Sequence, residues 1–139
     1  MAGPETRSHR QLAEEVYRLF NERDLDSLLD LMAPDLEWDW SRSMGPDRGL
    51  LRGPDAVTRF LETNWSHWQA IRMTPEEILE AGDDVVVFVH VALRGRDGIM
   101  VEARGPHVQT WQRGRLTRYR LFQDRGEALA AAGLRPGSD

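Results

Sequence analysis

Apolar and polar positions follow two rhythms, helical in most of the first half of the chain and strand-like in the second. Leu12, Val16, Leu19 and Phe20 recur at helical spacing after Ser8-His9-Arg10-Gln11. That tetrapeptide fits a capping box, so the pattern predicts an amphipathic helix to about Asn21. Asp24 can cap a second, shorter helix with a stripe of Leu25, Leu28, Leu29 and Met32, ended by Ala33-Pro34. Leu36-Glu37-Trp38-Asp39-Trp40 alternates strictly, which predicts a short strand with both tryptophans on one face. A loop rich in Gly, Pro and Ser runs from Ser41 to Arg52, long enough for a pocket rim. Gly53-Pro54-Asp55 opens a third helix, whose stripe is Val57, Phe60, Leu61, Trp65 and Trp68. Ile71 to Ala81 reads as a strand, with Pro75 marking a bulge or an edge.

The stretch from Gly82 to Asp124 organises the rest. Val85 to Leu93 is β-branched, apolar and free of Gly and Pro, as a strand requires. Asp97-Gly98 signals a hairpin into a second run, Met100 to Trp111. Arg113-Gly114 turns into a third, Leu116 to Gln123, so the three form an antiparallel meander. Val85, Val87, Val89 and Val91 face one way; Val86, Phe88, His90 and Ala92 face the other. Both sets are mostly apolar, so one face is expected beneath the chain's own helices and the other against a second subunit, giving a homodimer. Arg125 to Ala132 makes a last short helix, stopped by Gly133. This order argues for an α+β fold, three to four helices on one face of a strongly curved, mainly antiparallel sheet that encloses a pocket.

The chain has 139 residues, which predicts a single domain over 1–139 with flexible ends at 1–7 and 135–139. A net charge of −5 offers no basic patch for nucleic acid. No apolar run is long enough to span a bilayer, and the N-terminus lacks a signal-peptide layout, so the expected location is the cytoplasm. Without Cys or Lys there is no thiol nucleophile, disulfide or lysine Schiff base, and no cofactor is expected. The histidines lie on separate elements with no pair at metal-ligand spacing, so no metal is expected. Asp47 is a stray loop carboxylate.

The helix pair, the Trp-containing strand, Gly53-Pro54-Asp55-Ala56-Val57, Ala81-Gly82-Asp83-Asp84-Val85, Arg113-Gly114-Arg115-Leu116 and the Ala128–Leu134 ending together resemble the SnoaL-like branch of the NTF2-like superfamily. The resemblance runs from about Arg10 to Leu134 and implies a cone-shaped, NTF2-like fold. It does not name a function, because the superfamily holds cyclases, isomerases, epoxide hydrolases and binders. It implies a pocket face bearing Trp38 and Trp40, then Val85 to Val91 in alternation. Ala103, Gly105, His107, Gln109, Trp111, Tyr119, Leu121 and Gln123 continue that face.

His107 matches the strand position where SnoaL-type cyclases resemble each other in carrying a histidine, and imidazole suits proton transfer near neutrality. Leu121 stands where those cyclases and the epoxide hydrolases carry a pocket aspartate. Val89 and Val91 stand where the epoxide hydrolases carry Arg and Asp, which argues against that reaction. Glu37 and Asp39 alternate away from the pocket, and Glu102 and Arg104 read as an outer ion pair.

Three readings follow. One is a binder of a small hydrophobic, polycyclic or aromatic molecule, held by Trp38, Trp40, Val89, Ala103, Gln109, Trp111, Leu121 and Gln123. Another is a cofactor-independent cyclase or isomerase with His107 as base and Tyr119 or Gln109 polarising a carbonyl. The third is a dimeric scaffold without ligand.

Overall fold

A computed structural model describes residues 7–43 and 49–134. The remaining residues, which include Asp47 and most of both expected flexible ends, lie outside the described part. Arg7, counted with the first end, is described, and its guanidinium meets Glu15 at 3.1 Å.

The first half begins as its caps dictate. Helix α1 (His9–Glu22) carries the expected capping box, Ser8 accepting from the Gln11 backbone and Gln11 accepting from the Ser8 backbone. Helix α2 (Leu25–Leu31) is capped by Asp24, which accepts from the Ser27 amide. It stops sooner than its stripe predicts, and Met32 opens strand β1 (Met32–Asp39). The residue before a proline favours extended backbone, so Ala33 belongs with the strand. The expected loop also contains a short strand, β2 (Leu50–Arg52), antiparallel to β1 with Leu51 opposite Trp38. Helix α3 (Pro54–His67) begins at the expected proline.

Strands β3 (Ala70–Ala81), β4 (Asp84–Arg94), β5 (Met100–Gln112) and β6 (Arg115–Leu121) follow, then helix α4 (Arg125–Ala131). The β3–β4 register shifts between Pro75 and Glu77, where Pro75 predicted a bulge. The β5–β6 turn sets both Arg113 and Gly114 at positive φ, the geometry that suits a two-residue hairpin. Gln123 lies beyond the end of β6.

The sheet runs in the order β2-β1-β6-β5-β4-β3. All pairs are antiparallel except β1–β6, which sets Trp38 beside Tyr119 in parallel register. The fold is therefore α+β with an open, mainly antiparallel sheet. One core lies on the inner face, where Leu12, Val16 and Phe20 of α1 and Val57, Leu61 and Trp65 of α3 meet Val85, Val87 and Val89.

The helices do not all share that face. Helix α4 covers the opposite one, where Val86, Val108 and Phe122 pack with Ala128 and Leu129. Val86, expected to await a second subunit, is fully buried by the chain's own last helix. Phe88 is partly buried there, with the Arg125 guanidinium 4.2 Å over its ring. Past α4 the outer face is polar. Glu102 pairs with His90 at 2.7 Å, and Arg104 with Glu76 at 3.0 Å. The two residues were expected to pair with each other, but side chains two apart on a strand are farther apart than cross-strand neighbours.

Candidate functional site

Along β4 the inward valines change surroundings. Val85, Val87 and Val89 are sealed in the core, whereas Val91 and Leu93 line an open cavity of about 780 Å³. Trp38 of β1 and Trp40, just past the end of that strand, form one wall, and Phe60, Asn64 and Trp68 face it from α3 and its C-cap. Ile71 and Met73 of β3, Ala103, Arg104, Gly105 and His107 of β5, and Leu121 to Gln123 also line it, together with Phe20, Ser43, Leu61 and His67. Among the described residues that line it there is no carboxylate.

The aromatic wall is layered. The Trp38 ring stacks on Tyr119 at 4.4 Å between centroids and, on the β1 side, on Trp40 at 5.3 Å. Phe60 meets Trp40 edge-on at 5.7 Å, and His107 meets it edge-on at 5.4 Å. Offset stacks and edge contacts of this kind favour rings with fixed orientations over a mobile apolar lining.

Of the expected site residues, Trp38, Trp40, Ala103, His107, Leu121 and Gln123 come together on the cavity wall. Val89, Gln109, Trp111 and Tyr119 do not line it. Val89, Gln109 and Trp111 point inward as their strand positions require, but they sit where the helices close over the sheet. Gln109 and Trp111 are fully buried, and the Trp111 indole N–H donates to Gln109 Oε1 at 3.0 Å. Tyr119 lies behind Trp38 and His107, beside a small void of about 20 Å³.

His107 connects the two regions. Its Nδ1 is 2.5 Å from the Tyr119 hydroxyl, which is 3.0 Å from the hydroxyl of Tyr17 on α1. Among the described residues the imidazole has no charged partner, and burial pushes its pKa down to about 3, so the ring is neutral at ordinary pH. Burial likewise raises both phenols, Tyr17 and Tyr119, keeping them protonated. The expected outward carboxylates are engaged elsewhere: Glu37 meets Arg52 at 3.2 Å, and Asp39 accepts from the Ser41 amide at 3.0 Å. Desolvation acts to raise the Asp39 pKa, but the Ser41 hydrogen bonds and Arg42 outweigh it and hold the carboxyl low.

The lining from α3 was not assigned from sequence. Its signal is present, because Phe60, Asn64 and Trp68 recur every four residues and so share one helical face. At the mouth, Gln123 donates to the Arg42 carbonyl at 2.8 Å, tying the end of β6 to the segment after β1. Among the described residues, no group of three His, Asp or Glu side chains is placed to hold a metal ion. No described helix is long and apolar enough to cross a membrane.

Solved structures share this architecture. An NTF2-like protein of unknown function from Burkholderia pseudomallei is 27% identical, with a TM-score of 0.75 over 88% of this chain and 95% of its own. TerC, crystallised with polyporic acid, is also 27% identical, with a TM-score of 0.74 over 95% of this chain and 98% of its own. RV0760c from Mycobacterium tuberculosis, in complex with estradiol-17β-hemisuccinate, is 21% identical, with a TM-score of 0.72 over 89% and 96%. No curated protein matches the chain in sequence. The SnoaL-like domain matches residues 13–119, which span both walls of the cavity short of its β6 end, and the chain belongs to that family.

Proposed function

We propose that the protein binds a small hydrophobic molecule, flat and polycyclic or aromatic, in the cavity between α3 and the sheet. One observation carries the reading: about 780 Å³ of space walled by Trp38, Trp40, Phe60 and Trp68, with no carboxylate among the described lining residues. Its volume suits a ligand of several fused rings, and planar aromatic walls favour a planar guest. The polyporic acid bound by TerC and the estradiol derivative bound by RV0760c support the class of ligand.

Fluorescence titration with anilinonaphthalene sulfonate, an apolar probe, tests the reading. The parent protein should bind it, and Trp40→Ala should weaken binding by about tenfold, the loss of one good ring contact. A parent protein that leaves the probe dark, or a Trp40→Ala variant that binds it unchanged, would sink the reading.

A cyclase or isomerase reading draws on a different observation, the neutral imidazole of His107 on the cavity wall. It lacks a carboxylate partner among the described lining residues, and the Tyr119 hydroxyl is engaged behind His107. Binding without turnover is therefore the stronger proposal. Pairing of two copies through the outer sheet face belongs to the same proposal. Because α4 already covers Val86, a partner would meet the row of His90, Ala92, Glu102 and Arg104.

A further inference from the structure

The geometry points to Asn64 as a hydrogen-bond acceptor in the cavity, one that would recognise the hydroxyl group of a flat aromatic ligand. This inference rests on the ligand-binding reading of the cavity and names the group by which the ligand is oriented there.

Asn64 interrupts an apolar stripe. Phe60, Asn64 and Trp68 share one helical face, and all three line the cavity. Val57, Leu61 and Trp65, on the adjoining face of α3, pack into the core. Asparagine is a poor helix former in a helix interior, because its amide competes for backbone hydrogen bonds. Here that competition orients the side chain. Nδ2 donates to the Phe60 carbonyl one turn back, at 2.8 Å. A backbone carbonyl can only accept, so the NH₂ end of the amide must face it, and the two ends cannot be exchanged.

The oxygen is then the end turned away from that carbonyl. Oδ1 has no hydrogen-bond partner among the described residues. Nor is it one of the sealed polar atoms that lack a partner, as Trp38 Nε1 is, so open space reaches it. Asn64 is half-buried and lines the cavity, and that space is the cavity's. The other amide of the lining, Gln123, is exposed, and so is Arg104, which pairs with Glu76. Asn64 instead faces the Trp38–Trp40 wall from the opposite side.

A ring hydroxyl that reaches Asn64 donates to Oδ1 in place of water. An ether of nearly the same outline brings no donor and leaves the oxygen unmet, which costs most where water is excluded. The second N–H of the Asn64 amide can meet the oxygen of either compound. The O–H bond is therefore what distinguishes them.

A matched pair of fluorescent probes, 1-hydroxypyrene and 1-methoxypyrene, tests the inference at mildly acidic pH, where the phenol keeps its proton. The ether is the more apolar compound, so the quantity read is the ratio of the two affinities, in the parent protein and in Asn64→Leu. That ratio should shift about tenfold against the phenol in the variant, the value of one hydrogen bond. An Asn64 that serves only to hold the Phe60 carbonyl would leave the ratio where it was. The parent protein alone supplies a second measurement, which does not depend on the variant folding. In ¹³C-labelled protein the side-chain carbonyl resonance of Asn64 should move downfield with the phenol and not with the ether.

An unchanged ratio in Asn64→Leu, or equal carbonyl shifts with both probes, would overturn the inference and leave the cavity reading standing. If neither probe binds the parent protein, the cavity reading falls and the inference falls with it.

Discussion

His107 reaches the cavity from a strand whose inward neighbours are uncharged, and its imidazole is pushed down to about 3 by burial alone. The unfolded chain has no such burial, so its histidine titrates near the ordinary value of 6.5. Between those two values the unfolded chain holds a proton that the folded protein lacks. The contribution to stability is therefore complete above about pH 6.5 and is lost progressively as pH falls toward 3. Urea unfolding at pH 6.5 and pH 5 should show the parent losing about 1.5 kcal/mol through this one group. His107→Gln should lack that component, because an amide does not titrate. Equal losses in both proteins would show that His107 is not buried neutral. The strand position of His107 was legible in the sequence, and its inward side followed from the family resemblance. Its hydroxyl chain was not, because Tyr17 and Tyr119 come from opposite ends of the chain and meet only once β6 is in register.

Among the elements, β5 divides the site in a way that alternation alone cannot show. Ala103, Gly105, His107, Gln109 and Trp111 share one face, yet the helices cover only its later part, so Trp111 is core and His107 is wall. Two substitutions separate these roles. Trp111→Ala removes a fully buried indole and should cost about 3–5 kcal/mol in denaturant unfolding. Trp40→Ala removes a half-buried ring at the cavity edge and should cost far less stability while weakening probe binding. A Trp40→Ala loss as large as that of Trp111→Ala would mean the cavity wall is packed solid. Caps and turns were the most legible features, because Ser8, Asp24 and Gly114 act through their immediate neighbours. The short β2 and the side taken by α4 were not, since each depends on what a distant strand offers it.

In the whole molecule, α4 changes the case for self-association. The apolar outer residues that predicted a partner are largely taken up by the chain's own last helix. What remains is a polar row in which Ala92 lies opposite Arg72 and Glu102. If two copies pair there, Ala92→Arg should convert dimers to monomers without loss of the folded state. Light scattering of the parent protein across concentrations decides the matter, and a monomer at the highest concentration would end the dimer proposal. The fold class was legible from the order of elements. The outer surface was not, because strand alternation shows that a face is apolar without showing what covers it.

The parallel pairing of β1 with β6 has a consequence in time. Trp38 and Tyr119 become neighbours only when a strand near the N-terminus meets the last strand made. Every earlier pairing in the meander is local, so this closure draws together the most distant parts of the sheet and is expected to come late. Until then the aromatic wall has only one side, and there is nothing for a ligand to grip. A bound ligand should therefore slow unfolding while leaving the refolding rate unchanged, as stabilisation absent from the transition state does. Stopped-flow refolding with and without probe would show it, and a folding rate that rises with probe concentration would place the closure early. For a newly made chain, the binding site exists only after β6 has been synthesised, and occupancy then acts as a brake on its loss.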